Sequence, residues 1–261
     1  MLGGQKVVAV MPGLNVSTTL ERTVRAIPEG VVDVVLLVDD GSTDESVAVA
    51  ERLGIACISH TRNLGYGAAQ KTGYRAALEL GADVAVMLHP DYQYKPELVP
   101  PIASMAVYGG YDIVLAARVL LGAAVTGGMP RWKYAANRFL THTENALIGA
   151  SFSEYHTGYR AYTRHALETL PLANNRNDFA FDSEVLAQAI GLGISVGEIS
   201  CPAHYWEGMQ TISFKTGVRY GIGCLQVAGR YAAQRLGART GILEGPTLQE
   251  GWSEGRWLLR P

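Results

Sequence analysis

Short apolar runs alternate with segments of helical periodicity through the first half of the chain. The strongest strand-like run covers residues 32–38 and is apolar almost throughout, as in a parallel strand covered on both faces. Shorter apolar runs begin at residues 7, 55, 83 and 111. Between them apolar residues recur at helical spacing, as at Leu20, Val24 and Ile27. Strands that alternate with helices in this way predict a doubly wound α/β sheet.

Two helix starts carry a recognisable capping pattern. Thr18 with Glu21 and Ser42 with Glu45 have the spacing of a capping box, in which each side chain bonds the other residue's backbone N–H. The second helix is expected to run to about residue 53, and a third helix is predicted over 67–80.

The second half is less regular. It predicts a Gly-rich loop over 122–130, helices over 132–148 and 180–190, and a strand over 194–199. A long amphipathic helix is predicted over 214–236, and the aperiodic residues 237–261 are expected to form a partly ordered tail. Residues 1–213 then form one domain.

One stripe of the long helix is apolar and rich in glycine and alanine. Small residues suit close packing on the sheet domain or on a second subunit, which would be a homodimer, better than insertion into lipid. A weak peripheral contact with an anionic membrane is the alternative, because basic residues flank the stripe. The stripe consists of Phe214, Val218, Ile222, Leu225, Gly229, Ala232 and Leu236.

Composition narrows the class of protein. The 261 residues are 48% hydrophobic and 18% charged, which favours a globular domain over a disordered chain. A net charge of −2 gives no global basic field for nucleic acid. Three scattered cysteines without CxxC spacing, together with the absence of a signal-peptide pattern, predict reduced thiols in a cytoplasmic protein.

Ligands of doubly wound sheets bind beyond the carboxyl ends of the strands, so polar residues there are candidates. Asp39 and Asp40 follow the strongest strand and can accept hydrogen bonds from ribose hydroxyls or a base N–H. An Asx turn with a helix cap explains Asp40 and Ser42 equally well. The spacing leaves both interpretations open.

Two further loops follow predicted strands. His89, Asp91 and Gln93 are spaced at i, i+2 and i+4, so in an extended loop they point to one side and can hold Mn²⁺ or Mg²⁺. A polar loop with a proline turn is the alternative. In the segment Arg62 to Gly67, glycines before a helix permit close approach to an anion, or only open a turn.

Three groups of ionisable residues lie in the second half. Glu154 and His156 belong to a polar segment that can form a catalytic cluster or a satisfied turn. Asp182 stands at a helix start, where it can act as a cap or as a base. His204 can be a ligand or a packed histidine, and packing is favoured for an isolated histidine.

In this order, these motifs resemble those of inverting family-2 nucleotide-sugar glycosyltransferases with the GT-A fold, an α/β mixed sheet flanked by helices. The chain is most similar to the polyprenyl-phosphate, or dolichol-phosphate-mannose-synthase-like, branch of that family. The resemblance covers roughly residues 6–225. It rests on Val10-Met11-Pro12 with Asn15, on residues 38–44, 62–68 and 89–97, on Gly158-Tyr159-Arg160 and on Phe181-Asp182-Ser183-Glu184.

The resemblance implies a nucleotide-sugar donor, with a UDP-sugar favoured, and a divalent metal, Mn²⁺ or Mg²⁺. It implies that Asp91 ends the family's DXD metal motif, with Gln93 and His89 as further metal ligands. It names Asp182 as the first candidate for the base and Glu154 and His156 as the next. It assigns the nucleotide to Pro12, Asn15, Asp39, Asp40, Arg62, Gly67, Asp91 and Arg160.

Two departures from the family pattern affect these expectations. His89 replaces the first aspartate of DXD, and imidazole suits Mn²⁺ better than Mg²⁺. No apolar run of about 20 residues follows the domain, as would be needed to span a bilayer. The acceptor is therefore expected to be a small molecule, or a lipid phosphate met at the membrane surface.

Other functions explain the pattern less well. A dehydrogenase of this sheet type needs GxGxxG after the first strand, where this chain has Met11-Pro12-Gly13-Leu14-Asn15. A nucleotidyltransferase needs a Gly-rich basic loop at the same place. A non-catalytic nucleotide-sugar-binding relic with a decayed DXD remains as an alternative, although Asp39, Asp91 and Asp182 are all retained.

Overall fold

The computed structural model describes residues 1–120, 128–202 and 214–261. Most of the predicted loop over 122–130 and the whole neighbourhood of His204 therefore lie outside the described residues, as does the side chain of Phe214.

A single eight-stranded sheet forms the centre of the described structure. Its spatial order is β7-β5-β6-β4-β1-β2-β3-β8. The strands are β1 (Val7–Gly13), β2 (Val34–Asp39), β3 (Ala56–Ser59), β4 (Val84–Met87), β5 (Ile113–Ala117), β6 (Arg160–Thr163), β7 (Val196–Ser200) and β8 (Arg256–Leu259).

The strand directions bring the polar loops to one edge of the sheet. Strand β1 pairs in parallel with β2 and β4, and β2 pairs in parallel with β3. Strand β6 is antiparallel to both β4 and β5, so β5 runs in the same direction as β4. The carboxyl ends of β1 to β5 and the beginning of β6 therefore share one edge.

Helices cover both faces of this sheet. The longer ones are α1 (Leu20–Arg25), α2 (Ser46–Leu53), α3 (Tyr66–Glu79), α4 (Val99–Tyr108), α5 (Arg131–Ile148), α7 (Phe181–Leu192) and α8 (Phe214–Arg235). Two further helices of the described ranges are α6 (Arg164–Thr169) and α9 (Leu248–Gly251).

Burial on both faces explains the continuous apolar runs of the central strands. Val8 and Val10 of β1 pack in the core that includes α3 and α7, whereas Val7 and Met11 pack in the core that includes α2 and α4. A strand with helices on both sides has no solvent-facing position, so its sequence does not alternate.

Neither predicted capping box forms. Helix α1 begins after Thr19 and α2 after Glu45, and neither of these residues makes a side-chain cap. Ser42 instead accepts a hydrogen bond from the backbone N of Asn15 at 2.8 Å. The hydroxyl that the pattern assigned to a helix start is used to join two loops at the polar edge.

Helix α8 packs on protein through a face that differs from the predicted stripe. It contacts α5 and α7. Cys224, Val227 and Tyr231 are buried there, whereas Val218 and Ile222 of the predicted stripe are 48% and 52% exposed. Gly223 lies against Ala180, the residue before α7, where a Cβ at position 223 would be crowded.

The C-terminal residues expected to form a partly ordered tail contribute the edge strand β8. This strand pairs antiparallel with β3. The indole N–H of Trp252 also donates to the Thr72 hydroxyl at 3.0 Å. A capping box between Thr247 and Glu250 begins α9. These contacts connect the last residues to the sheet. The strand was not predicted because four residues are too few to show an alternating pattern.

Candidate active site

Backbone hydrogen bonds bring the three polar loops together at the carboxyl edge of the sheet. The backbone N of Asp40 donates to the Gly13 carbonyl at 2.8 Å, and the backbone N of Leu88 donates to Val10 at 3.0 Å. Arg160, the first residue of β6, is in register with Met87 of β4. The loops that follow β1, β2 and β4 therefore surround the beginning of β6.

Asp39 is held at the end of β2 with room for another hydrogen bond. It is 2% exposed, its Oδ2 accepts from the Ser59 hydroxyl at 2.8 Å, and its Oδ1 accepts from the backbone N of Ser42 at 3.3 Å. A carboxylate has about four acceptor positions, so Asp39 keeps lone pairs for a ligand.

Asp40 organises the neighbouring loop, and its role as a nucleotide ligand stays a prediction. Its Oδ1 lies 2.7 Å from His60 Nδ1 and accepts from Leu64 N at 2.9 Å, and its Oδ2 accepts from Gly65 N at 2.9 Å. The carboxylate is occupied by the loop that precedes α3. Asp40 therefore positions this loop, and its partner His60 was not among the predicted site residues.

Pro12 and Asn15 also shape the site through the backbone. Pro12 is buried in β1 opposite Val38. Asn15 has a positive φ of 55°, and its Oδ1 accepts from Thr43 N at 2.9 Å. The side chain that was expected to meet the nucleotide is therefore used to connect the β1 and β2 loops.

Gly67 is required for a close packing contact. Its N–H donates to the Asn177 carbonyl at 2.8 Å, and a Cβ at this position would collide with the Arg176 carbonyl. This N–H is consequently not free to bind an anion. Arg62 is exposed, and its side chain has no partner in the part of the chain that the structure describes.

His89 stands between two tyrosine rings at the end of β4. Its ring stacks on Tyr66 at 5.7 Å and on Tyr94 at 5.3 Å between centroids. Its Nε2 lies 3.4 Å from the Tyr66 hydroxyl. Burial lowers the pKa of His89, so the ring is neutral at pH 7 and keeps a lone pair. Gly158 packs against the same nitrogen.

The loop after His89 presents two oxygen donors. Asp91 Oδ1 accepts from the backbone N of Gln93 at 2.9 Å. Within the described ranges, neither Asp91 Oδ2 nor the Gln93 amide has a hydrogen-bond partner. Thr23 of α1 fixes the loop by donating to the Pro90 carbonyl at 3.1 Å. Carboxylate, amide and neutral imidazole fit a divalent cation of the Mn²⁺ or Mg²⁺ type.

Asp182 lies in the first turn of α7 and belongs to the same site. It is 4% exposed. Its Oδ2 accepts from the Tyr66 hydroxyl at 3.0 Å, and its Oδ1 accepts from the Gln70 amide at 3.2 Å. Burial and the Asp182 charge raise the pKa of Tyr66 well above its usual range, so Tyr66 remains a donor. Tyr66 and Gln70 were not among the predicted site residues.

Arg160 is held largely by backbone carbonyls, and its predicted role toward a phosphate stays a prediction. It is fully buried, and its guanidinium donates to the carbonyls of Thr157, Asp182 and Tyr155 at 2.8, 3.0 and 2.7 Å. Its Nη1 also lies 3.8 Å from Asp182 Oδ1. Arg160 therefore fixes the position of Asp182 and of the segment before β6.

Glu154 and His156 are less suited than Asp182 to act as the base, because other side chains already pair with them. Glu154 is fully buried and pairs with Arg118, whose guanidinium and backbone N both donate to it, and with the Asn137 amide at 2.8 Å. Burial opposes its charge, but Arg118 outweighs burial and lowers the pKa of Glu154. A lowered pKa makes a carboxylate a weaker base. His156 belongs to a separate cluster with Glu144.

The family model described as "Glycosyl transferase family 2" matches residues 8–170. The chain belongs to this family. It is therefore a glycosyltransferase, as the motifs predicted, and the Asp39, Asp91 and Arg160 segments lie within the matched range.

Relatives of this glycosyltransferase include enzymes named for lipid-phosphate acceptors. A UDP-N-acetylglucosamine--dolichyl-phosphate N-acetylglucosaminyltransferase of Methanococcus voltae is 25% identical over 76% of this chain and 85% of its own. A polyprenol monophosphomannose synthase of Mycolicibacterium smegmatis is 28% identical over 75% of this chain and 76% of its own.

Solved structures confirm the predicted GT-A fold. Glucosyl-3-phosphoglycerate synthase from Mycobacterium tuberculosis, solved with UDP, matches with a TM-score of 0.68 and 19% identity over 88% of this chain and 81% of that one. Mannosyl-3-phosphoglycerate synthase from Rubrobacter xylanophilus matches with a TM-score of 0.71 and 18% identity over 90% and 76% of the two chains. No helix within the three described ranges is long and apolar enough to cross a bilayer.

Proposed function

We propose that this glycosyltransferase moves a sugar from a UDP-sugar to an acceptor that carries a phosphate, with inversion at the anomeric carbon. The observation that carries the proposal is the placement of Asp182 beside the loop of His89 and Asp91, through the shared contact with Tyr66. This arrangement puts a buried carboxylate next to a set of metal-binding side chains, where an incoming oxygen and a leaving diphosphate have to meet.

The donor half of the site is assigned to Asp39, Arg62 and the 89–93 loop. Asp39 has acceptor positions for ribose or base, and the exposed guanidinium of Arg62 can pair with a phosphate. Asp91, Gln93 and His89 would hold a divalent ion, which would supply positive charge for the leaving diphosphate. The Mycobacterium tuberculosis synthase, which binds Mn²⁺ with UDP, supports this assignment.

Positive charge near the end of β5 supports a phosphate acceptor. Arg118 directly follows β5, and Lys133 lies in the first turn of α5. Burial and the nearby Arg118 charge lower the pKa of Lys133. Because Glu154 neutralises Arg118, Lys133 is the cation that we assign to the acceptor phosphate.

A lipid phosphate is the favoured source of that group. Trp132 and Phe139 of α5 are 51% and 65% exposed, and Val218 and Ile222 of the contacting helix α8 are also exposed. Exposed aromatic residues beside Arg131 and Lys133 are typical of surfaces that meet an anionic bilayer. The names of the archaeal and mycobacterial relatives point the same way.

The proposal is tested by transfer assays with two phosphate acceptors. The purified chain is incubated with UDP-sugars and Mn²⁺, with either a polyprenyl phosphate in mixed lipid vesicles or 3-phosphoglycerate, and UDP release and product are measured. We expect UDP release that depends on the polyprenyl phosphate and is lost in Asp91→Ala. Transfer to 3-phosphoglycerate alone would replace the lipid with a small acceptor, and failure with both would overturn the phosphate proposal.

A further inference from the structure

A second cluster of metal-binding side chains lies outside the candidate active site. Glu144 comes from α5, His156 from the segment before β6, and Cys224 from α8. One ligand atom from each residue, a carboxylate oxygen, an imidazole nitrogen and the thiol sulfur, lies within 4.8 Å of the other two. Three separate segments therefore meet at one buried point.

The polar atoms of this cluster lack well-aligned hydrogen-bond partners among the described residues. Glu144 and Cys224 are fully buried, and the His156 side chain is 5% exposed. Glu144 Oε2 and His156 Nε2 approach to 3.0 Å as an ion pair, yet both carboxylate oxygens and both ring nitrogens remain without a hydrogen bond. Burying such groups unsatisfied costs free energy, so a bound ligand would stabilise this arrangement.

The donor set and its spacing fit a borderline-soft divalent cation. Zinc binds histidine nitrogen and carboxylate oxygen at about 2.0–2.1 Å and thiolate at about 2.3 Å, which places tetrahedral ligands about 3.3–3.6 Å apart. The observed separations, from 3.0 Å to at most 4.8 Å, reach those values with small side-chain movements. Thiolate disfavours Mg²⁺ and Mn²⁺, which separates this cluster chemically from the oxygen-rich loop of Asp91.

We propose that Glu144, His156 and Cys224 bind one zinc-type cation. Binding converts the Cys224 thiol to a thiolate, whose proton passes to solvent, as does any proton on His156. A water molecule completes the four-coordinate shell. The ion holds α5, the segment before β6 and α8 together.

The site is connected to the candidate active site through packed rings. The His156 ring meets the Tyr220 ring at 5.5 Å, Tyr220 meets Phe179 at 6.1 Å, and Phe179 meets Tyr66 at 5.0 Å between centroids. Tyr66 is the hydroxyl donor to Asp182. A cation at His156 therefore fixes one end of the aromatic row that supports the carboxylate.

The competing explanation is a metal-free ion pair. Burial opposes a charge on His156, but contacts with Cys224 and Glu144 outweigh burial and raise the pKa of His156 to about 10. In this explanation an imidazolium pairs with Glu144 and no ion is bound. The two explanations differ in whether the sulfur binds a metal.

Metal content of the full-length protein tests the site. The chain is produced in zinc-supplemented medium, desalted, and its zinc measured by elemental analysis. We expect one equivalent of zinc in the wild type and in Asp91→Ala, and its loss in Cys224→Ala. Cys57→Ala is the matched control, because Cys57 is also a buried free cysteine but lies in β3. Zinc that persists in Cys224→Ala, or its absence from the wild type, would overturn the proposal.

Cobalt substitution tests the site in the wild-type protein, so its result does not require that any variant folds. The wild-type protein is stripped with chelator and loaded with Co²⁺, and its near-ultraviolet spectrum is recorded. We expect a thiolate-to-cobalt charge-transfer band that zinc abolishes and that Cys224→Ser lacks. A spectrum without this band means that no cysteine binds the ion, and the ion-pair explanation then stands.

Discussion

Tyr66 at the start of α3 donates its hydroxyl hydrogen to Asp182 Oδ2 at 3.0 Å, although 116 residues separate the two along the chain. The same hydroxyl lies 3.4 Å from His89 Nε2. Tyr66 thus stands between the proposed metal-binding loop and the proposed base. In the proposed function, it connects the part of the site assigned to the diphosphate with the part assigned to the acceptor.

Loss of the Tyr66 hydroxyl should therefore lower turnover without removing the nucleotide site. Tyr66→Phe keeps the ring that stacks on His89 and removes one hydrogen bond of about 1 kcal/mol from Asp182. We expect kcat to fall about 5-fold to 10-fold while the dissociation constant of UDP changes less than 2-fold. Tyr108→Phe, which removes an exposed hydroxyl at the other end of the sheet, is the control.

Asp182→Asn should lower turnover in a manner that depends on pH. If Asp182 accepts the proton of a phosphate monoester, whose second pKa is about 6, the base is needed mainly below that value. About a quarter of such a group is already a dianion at pH 5.5, so we expect kcat to fall about 4-fold there and to change little near pH 8. A loss that stays constant over this range would indicate a hydroxyl acceptor instead, and an unchanged kcat would exclude Asp182 from the chemical step.

Asp91→Ala should remove the metal dependence of nucleotide binding. Asp91 offers a free carboxylate oxygen, so its removal takes away the only anionic member of the proposed His89, Asp91 and Gln93 set. Titration calorimetry of UDP with and without Mn²⁺ measures the effect. The wild type should bind UDP at least 10-fold more tightly with Mn²⁺, whereas the variant should bind equally in both conditions. If the variant keeps the metal dependence of the wild type, Asp91 is not a ligand of the ion.

Lys133→Gln should weaken binding of the phosphate acceptor and leave binding of the UDP-sugar donor unchanged. The side chain lies close enough to Arg118 for the two charges to interact, and it is the less constrained of the pair. We expect KM for the acceptor to rise several-fold, with KM for the UDP-sugar unchanged. Arg239→Gln, which removes an exposed cation from the C-terminal segment, should change neither value.

The sequence predicted the sheet better than it predicted the use of each polar side chain. The apolar runs of β1 to β5 identify strands covered on both faces, and the loops after them were correctly assigned to one edge. Asp40, Asn15 and Arg160 carry the right chemistry for a ligand, but contacts with residues distant in sequence occupy part of their polar groups. Spacing within a motif does not reveal such contacts.

Elements whose apolar residues show no regular spacing could not be predicted from the sequence. Strands β6 and β8 have four residues each, too few to display alternation, and α4 begins with two prolines that read as a turn. Prolines at Pro100 and Pro101 are tolerated there because the first turn of a helix has no partner for their missing N–H groups.

Glu154 should contribute more to stability than any exposed ion pair of the chain. Its carboxylate accepts from Arg118 and from Asn137 in a fully buried position, so Glu154→Gln leaves the Arg118 charge buried without compensation. Removal of one partner from a buried pair costs about 3–5 kcal/mol. Glu168→Gln, which breaks the exposed pair with Arg164, is the control and should cost less than about 1 kcal/mol. Urea unfolding measures both variants.

The pH dependence of this stability has a definite sign. Burial opposes the charge on Glu154, but Arg118 outweighs it, so the pKa of Glu154 in the folded protein lies below its ordinary value of 4.5. The unfolded chain therefore binds the proton first as the pH falls, and the contribution of Glu154 is complete above pH 4.5 and lost below it. The free-energy difference between wild type and Glu154→Gln should thus be constant from pH 8 to pH 6 and should shrink as the pH falls below 4.5. A difference that grew with acid would mean that Arg118 does not stabilise the ionised carboxylate.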